Sequence, residues 1–400
     1  MSSLPLRLHF CWVDIWLLAL EIVVGGGASN RANSSYATIS GGLLNAADAT
    51  SSTIGGGVQN TVSGIFGVVG GGRMNAALTR SSTSAGGELN TADGTYATIS
   101  GGYANEASAS GSVVGGGTNN SVSAAHSTVG GGNQNTVVGV GGIIAGGVAC
   151  RVSSIGGVVG GGDSNTVAGL YGAVAGGYGN HISSSYAVSG GGFSNSVFGS
   201  YSVCAGGSGN LANATHAVVS GGIINTVHGD HSTSAGGSAN VIWSDFSSIS
   251  GGQANTAGGT LSSIGGGSSN VASGFSSLVS GGHSNVARGS YSTIAGGHLN
   301  SADDAYATLA GGYLNSVFAV HSFIGGGSVN IINTTSSYAV IGGGSANVAK
   351  SNFACLGGGL RNTVAGDYSS VGGGFENSVS GTCATIAGGI SSVASGYASV

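Results

Sequence analysis

Apolar, small and polar residues recur with a period of fifteen along nearly the whole chain. Asn marks the repeat: it occupies every fifteenth position from 30 to 330, with Cys150 as the single exception, and returns at 347, 362 and 377. Two extra residues between 331 and 342 shift the frame once. We number the positions of each repeat from this Asn, which is column 0. A fixed period of this length predicts a repeat fold.

Two short segments of each repeat alternate with period two. Column 2 is Ala, Val or Ile, and column 9 is nearly always Ile, Leu or Val, with departures at Ser84, Ser189, Ser234 and Cys204. Alternate side chains of a β-strand point to opposite faces, so columns 2 and 9 point inward and columns 1, 3 and 8 outward. The pattern predicts an all-β parallel β-solenoid, or β-roll, of about 25 coils. Helices are excluded because a Gly pair in each repeat leaves no helical segment long enough to persist.

A Gly-Gly pair precedes every column 0 position, from Gly26-Gly27 to Gly388-Gly389. A backbone that turns at the same point in each coil needs residues that accept a positive φ without a clash at Cβ. The Asn after the turn can bond its own backbone or the equivalent Asn of the coils above and below. We therefore expect a structural Asn ladder rather than a ligand site, represented by Asn30, Asn45, Asn60, Asn165, Asn180 and Asn195.

The composition excludes several classes of protein. Of 400 residues, 84 are Gly and 1 is Pro, 5% are charged, and the net charge is −5. Nucleic acid is excluded as a partner, because its binding depends on Lys and Arg side chains that neutralise phosphates. A collagen triple helix is excluded, because it needs Gly at every third position and abundant Pro, and this chain has neither. A hydrophobic fraction of 40% is too high for a disordered chain.

No catalytic, cofactor-binding or metal-binding constellation is apparent. Alternation places His228 and His231 on different segments with no third ligand, so a metal site with Asp230 is not expected. Acidic residues that share column 3 lie several coils apart, too far for paired carboxylate catalysis. No two of the 5 Cys share a column in adjacent coils, so no disulfide is expected. The sequence favours a non-enzyme without cofactors.

Two outward columns carry unusually apolar residues. Column 6 forms two runs of aromatic residues: Tyr171, Tyr186, Tyr201, His216, His231 and Phe246, and then Tyr291, Tyr306, His321, Tyr338, Phe353 and Tyr368. Rings at strand spacing can stack on each other, pack against another chain, or bind sugars. Column 8 mixes Thr with Val, Ile, Leu and Phe, which favours a face buried between chains. An ice-binding Thr row is the other interpretation of column 8, although the doubled T-x-T pattern of such surfaces is missing.

The repeat resembles the YadA-like head repeat of trimeric autotransporter adhesins, over residues 22–400. The matching S-T-I-x-G and A-x-G segments are those from Tyr96 to Gly102 and at Ala107, and from Tyr291 to Gly297 and at Ala302. The family repeat commonly has fourteen residues rather than fifteen. The resemblance implies a left-handed β-roll and a homotrimer displayed outside a cell, adhering to matrix or surfaces. The heptad stalk and C-terminal anchor strands of that family are not found, which favours a fragment or a relative that uses only the roll, such as a viral or extracellular fibre.

Residues 1–21 are bulky and apolar, unlike the repeats, and are interpreted as a cap, a signal or membrane anchor, or a misassigned start. Residues 22–400 are predicted to form the solenoid. We expect a non-enzymatic structural or adhesive fibre protein, located outside a cell or on the surface of a cell or virion. Its expected partners are copies of itself, in a homotrimer or an end-to-end filament. The alternatives are a surface module that binds polysaccharide or another cell-surface ligand through column 6, and an ice-binding solenoid.

Overall fold

The repeats fold into stacked coils. The computed structural model describes residues 21–399, and these residues divide into two compact units between Tyr171 and Gly172. In each unit every repeat forms one coil, and equivalent strands of successive coils pair in parallel. The described residues contain no helix. The prediction of an all-β parallel solenoid with about 25 coils is confirmed. The predicted N-terminal segment, apart from Glu21, lies outside the described residues.

Every strand is two residues long, and the strands alternate along the chain between columns 8–9 and columns 1–2. Those of the first unit are Val23–Val24, Arg31–Ala32, Thr38–Ile39, Ala46–Ala47, Thr53–Ile54, Thr61–Val62, Val68–Val69, Ala76–Ala77, Thr83–Ser84, Thr91–Ala92, Thr98–Ile99, Glu106–Ala107, Val113–Val114, Ser121–Val122, Thr128–Val129, Thr136–Val137, Ile143–Ile144, Arg151–Val152, Val158–Val159 and Thr166–Val167. Those of the second unit are Ala173–Val174, His181–Ile182, Val188–Ser189, Ser196–Val197, Val203–Cys204, Leu211–Ala212, Val218–Val219, Thr226–Val227, Thr233–Ser234, Val241–Ile242, Ser248–Ile249, Thr256–Ala257, Ser263–Ile264, Val271–Ala272, Leu278–Val279, Val286–Ala287, Thr293–Ile294, Ser301–Ala302, Thr308–Leu309, Ser316–Val317, Phe323–Ile324, Ile331–Ile332, Val340–Ile341, Val348–Ala349, Cys355–Leu356, Thr363–Val364, Ser370–Val371, Ser378–Val379, Thr385–Ile386 and Val393–Ala394.

Each coil has three sides. Columns 1–2 form the first side, columns 8–9 the second, and a single parallel bridge at column 13 the third. Successive coils are in register, so that Val68 pairs with Thr83 on the second side and Val58 with Arg73 on the third. The third side was not predicted. Column 13 has no constant residue type, and on this side each coil contributes only one paired residue, which is too short for a period-two pattern.

The core is a double column of aliphatic side chains. Columns 2 and 9 are buried in successive coils, as at Val62 and Ile54, which confirms the inward positions predicted from alternation. Each buried Val, Ile or Leu in these columns stabilises the fold by about 1.5–3 kcal/mol relative to an exposed one. Backbone hydrogen bonds join each coil to the next, as from Gly55 N to Val69 O at 2.9 Å. Small residues at column 7, such as Ala37, are also buried.

Two turns in each coil use the left-handed backbone conformation. Residues at columns 6 and 14 have φ near +55°, as at Phe66 (φ 60) and Gln59 (φ 59). That conformation costs a non-Gly residue about 1–2 kcal/mol, but here the N–H groups find partners in the preceding coil. Phe66 N donates to Thr50 O at 3.1 Å, and Gln59 N to Leu43 O at 2.9 Å. The turn at column 6 turns the aromatic residues outward, between the first and second sides.

The two glycines of each pair have different roles. Gly87, the second of its pair, has a φ of 86°, and a Cβ there would overlap the carbonyl oxygen of Gly102 and lie 2.7 Å from Asn90 Nδ2. A Cβ on Gly86 would meet no atom within 4 Å. The predicted positive φ is therefore required at the second position of this pair, where backbone and Asn side chain crowd the turn.

The two extra residues lie in one turn of the second unit. Phe323 pairs with Val340, and Ile331 with Val348, so the spacing increases only between Ile332 and Val340. The longer turn is held by Thr335 Oγ1, which donates to Lys350 O at 3.1 Å. The next coils return to the fifteen-residue register.

Candidate functional site: the aromatic ladder and the apolar patch

The Asn column forms an internal hydrogen-bond network. Asn90 Nδ2 donates to the carbonyl oxygens of Gly86 and Gly102, both at 2.9 Å, and to Asn75 Oδ1 at 3.2 Å. Its own Oδ1 accepts from Asn105 N at 3.0 Å. The same bonds to Gly carbonyls occur at the Asn residues singled out from the sequence, which are Asn30, Asn45, Asn60, Asn165, Asn180 and Asn195. The side chains of this column bind the backbone of their own stack.

An aromatic ladder runs along column 6 of the second unit, in two parts. The first part stacks Tyr186 on Tyr201 (ring centroids 5.0 Å apart), Tyr201 on His216 (5.2 Å), His216 on His231 (4.6 Å) and His231 on Phe246 (5.1 Å). The second stacks Tyr291 on Tyr306 (5.0 Å), Tyr306 on His321 (4.6 Å), His321 on Tyr338 (5.0 Å), Tyr338 on Phe353 (5.1 Å) and Phe353 on Tyr368 (4.7 Å). All interplanar angles are below 20°. The longer turn does not interrupt the ladder, because Tyr338 stacks on both neighbours.

Rings inside the ladder turn their faces toward each other and their edges toward solvent. Phe353, between two rings, is 43% exposed, whereas Tyr368 at the end of the second part is 62% exposed. Two coils between the parts of the ladder have Leu261 and Ser276, which are not aromatic, at column 6. Phe275, from column 5, packs edge-on against Tyr291 with ring centroids 5.4 Å apart. Flat stacking of a sugar needs an open ring face, so Tyr368 offers more room for it than the rings that lie between two others.

The first unit spaces its column 6 rings differently. Tyr36, Phe66 and Tyr96 each have Ser or Gly in the next coil, rather than another ring. Tyr171, which the sequence placed at the start of the first run, lies at the end of this unit and covers Gly156, where a Cβ would come within 2.5 Å of the ring. Small residues here make room for the rings beside them.

An exposed apolar patch lies beside column 6 in the first unit. It consists of Val140, Ile143, Ile155, Val158 and Leu170, which are 37% to 50% exposed. These residues occupy columns 5 and 8 of three successive coils, and the intervening columns 6 and 7 carry Gly in the first two. The sequence singled out column 8 but missed column 5, whose residue type varies. The patch could have been found from the sequence, because Val140, Ile155 and Leu170 are large aliphatic residues spaced fifteen apart in column 5.

Other ring contacts were also missed. On the third side Tyr178 stacks on Phe193 at 5.2 Å, and on the first side His228 stacks on Trp243 at 4.5 Å. His228 Nδ1 also lies 3.1 Å from Asn213 Nδ2. Each pair consists of aromatic residues exactly one repeat apart, which is the spacing that would have revealed them.

Few charged or reactive groups accompany these surfaces. Burial raises the pKa of the Cys150 and Cys204 thiols, and the four Cys of the described chain are free. Arg31 pairs with Asp48 and Arg73 with Glu88, across neighbouring coils at the exposed surface.

Within residues 21–399 no group of three or more His, Cys, Asp or Glu is placed to hold a metal ion. The same residues include no helix that is long and apolar enough to span a membrane.

No protein-family model matches the chain, and no significant match was found among curated proteins.

Proposed function

We propose that the chain is a non-enzymatic structural protein that associates side by side with copies of itself through the apolar patch. The main support for this proposal is that five large aliphatic side chains lie exposed together on three successive coils. Contiguous exposed apolar surface of this kind is typical of sites of protein association. The proposed setting, outside a cell or on the surface of a cell or virion, and the adhesive role follow the resemblance stated for the repeat.

Shape and charge support a second copy as the occupant. Gly141, at column 6 between Val140 and Ile143, leaves its corner open, because a Cβ there would meet no atom within 4 Å, so another chain can approach closely at this coil. With 8 Lys+Arg and 13 Asp+Glu in 400 residues, like-charge repulsion between copies is weak. A homotrimer is the assembly that the resemblance predicts, and an end-to-end filament is the other arrangement.

Sedimentation and negative-stain microscopy of the purified chain test this proposal. The variant Ile155→Thr/Val158→Thr introduces the residue type that Thr95 and Thr98 supply in the same columns, so the coils should still form. We expect its mass to fall to that of one chain. The matched control is Val138→Thr, which changes a side chain of similar exposure on the first side. A wild-type chain that sediments as a monomer would refute the proposal, as would a double variant that still assembles.

Binding of polysaccharide is the second candidate function, and the open ring at the end of the ladder favours it. Tyr368 is more exposed than any other Tyr or Phe of the ladder, and column 6 of the next coil carries Cys383 rather than another ring. Retention on immobilised polysaccharides should fall for Tyr368→Ser and much less for Tyr338→Ser, whose ring lies between two others. Equal losses for both variants would contradict binding at the end of the ladder.

A further inference from the structure

Two pairs of tyrosines lie ring against ring on neighbouring coils of the second unit. Tyr186 and Tyr201 have centroids 5.0 Å apart with planes 5° apart, and Tyr291 and Tyr306 have centroids 5.0 Å apart with planes 7° apart. All four side chains are about half exposed. We propose that these pairs are sites of oxidative coupling, at which a peroxide-class oxidant joins two coils of the same chain through dityrosine.

The reaction balances with one molecule of peroxide for each pair. Each phenol gives up one electron and one proton, and the two phenoxyl radicals join through the carbons next to their hydroxyl groups. After the carbons lose their hydrogens as protons and the phenols are restored, one C–C bond has replaced two C–H bonds. The pair has lost two electrons and two protons, and hydrogen peroxide takes them up to become two molecules of water.

Contact between the two rings is what distinguishes these pairs. In a nearly parallel stack with centroids 5.0 Å apart, the carbons that must join need only a small rotation of two exposed side chains. Radicals held side by side react with each other far faster than radicals that must meet by diffusion. Tyr96 provides a comparison, because it occupies the same column and the same turn but lies between Ser81 and Gly111.

Coupling would change how neighbouring coils are held together. Tyr291 and Tyr306 belong to successive coils that are otherwise joined by short parallel strands, such as Thr293–Ile294 with Thr308–Leu309. A covalent link between the rings closes a loop of one repeat, so that these coils can no longer separate completely when the hydrogen bonds break. The inference does not depend on lateral association, because both rings of a pair belong to one chain.

Treatment of the purified full chain with hydrogen peroxide and a haem peroxidase tests the inference. The chain is then denatured and cleaved at Asp303 or Asp304, between the two rings, and the fragments are analysed by mass spectrometry. We expect the fragments carrying Tyr291 and Tyr306 to remain joined with the loss of two hydrogens, and dityrosine fluorescence to appear. Links at the stacked pairs should be roughly tenfold or more as abundant as links involving Tyr96.

Two controls test whether the link requires both tyrosines of a pair and whether it forms within one chain. Tyr306→Phe should keep the stack, since Phe353 occupies the same ladder, but it should abolish the link at this pair and leave the link between Tyr186 and Tyr201. An equal mixture of nitrogen-15-labelled and unlabelled chains, unfolded and refolded together, should give links only between fragments of the same label. Links of mixed label, or links as frequent at Tyr96 as at the pairs, would overturn the inference.

Discussion

Asn60 accepts a hydrogen bond from the backbone N–H of Asn75 through its Oδ1, at 2.9 Å, and thereby joins one coil to the next. The Nδ2 of Asn60 donates to Gly56 O at 2.9 Å and Gly72 O at 3.0 Å. One buried side chain thus satisfies three backbone groups in a position that water does not reach. Because the amide both donates and accepts, neither Asp nor Leu could replace it without leaving buried polar groups unpaired.

The first prediction concerns Cys150, the one interruption of the Asn column before the second unit. Its Sγ lies 3.8 Å from Gly161 O and 3.6 Å from Gly162 O, which are weak contacts. In Cys150→Asn an amide should restore strong bonds to the Gly carbonyls and raise the free energy of unfolding by about 1–2 kcal/mol. Urea denaturation measures the change. Cys150→Ala serves as the control and should be neutral or destabilising, and a gain as large as that of Asn would contradict the explanation.

The second prediction separates the two glycines of one turn. Gly87→Ala should lower the free energy of unfolding by about 2 kcal/mol or more, because φ is 86° and a Cβ would overlap the next coil. Gly86→Ala changes a neighbouring position with open space around it, and it should leave stability unchanged or raise it by about 0.5–1 kcal/mol. Thermal denaturation of both variants suffices. Equal effects at the two positions would show that the steric argument is wrong.

The third prediction concerns Ser84, which occupies the aliphatic column 9. Its Oγ is buried without a hydrogen-bond partner, between Val69 and Ile99 of the adjacent coils. Ser84→Val should raise the free energy of unfolding by about 1–3 kcal/mol, since it removes an unpaired hydroxyl and adds apolar contacts. Ser84→Ala removes the hydroxyl without filling the space and should give a smaller gain. Destabilisation by Val, measured in urea, would mean that the core is too tight at this coil.

The fourth prediction follows from the raised pKa values of Cys150 and Cys204, whose ordinary value is 9.0. In the native protein at pH 8, iodoacetamide should modify Cys355 and Cys383, which are exposed, and spare the two buried thiols until the protein unfolds. Because burial favours the protonated thiol in the folded state, the associated stabilisation is complete below about pH 9 and is lost as the pH rises through the folded pKa. Peptide mapping measures the modification, and rapid native labelling of Cys204 would contradict the predicted burial.

The sequence predicted the solenoid because each inward position repeats the same kind of residue. Ile54 and Val62 lie where alternation placed them, and Gly87 has the positive φ expected of its pair. The third side and the left-handed conformation of Phe66 were not predictable in the same way. Neither depends on residue type: both arise from how the whole coil closes, and hydrogen bonds to the preceding coil hold them.

The surface was predicted less completely than the core. The run of aromatic residues identified the outward ring column, and stacking was one of three arrangements left open, but the sequence could not tell that Tyr186 and Tyr201 would stack nearly parallel. The patch that includes Ile155 and Leu170 was missed because its column is polar in many other coils, as at Asp245. Exposed positions carry little common constraint from packing, so each run of coils must be considered separately.

The longer turn between Ile332 and Val340 marks a place where this chain can carry foreign peptide. Two additional residues are accommodated there while the strands on either side keep their partners and Tyr338 keeps both of its ring contacts. An epitope or an affinity tag inserted between Thr334 and Thr335, both exposed, should therefore be displayed on the outside of a folded solenoid. The natural tolerance of this corner makes the protein a candidate scaffold for presenting peptides.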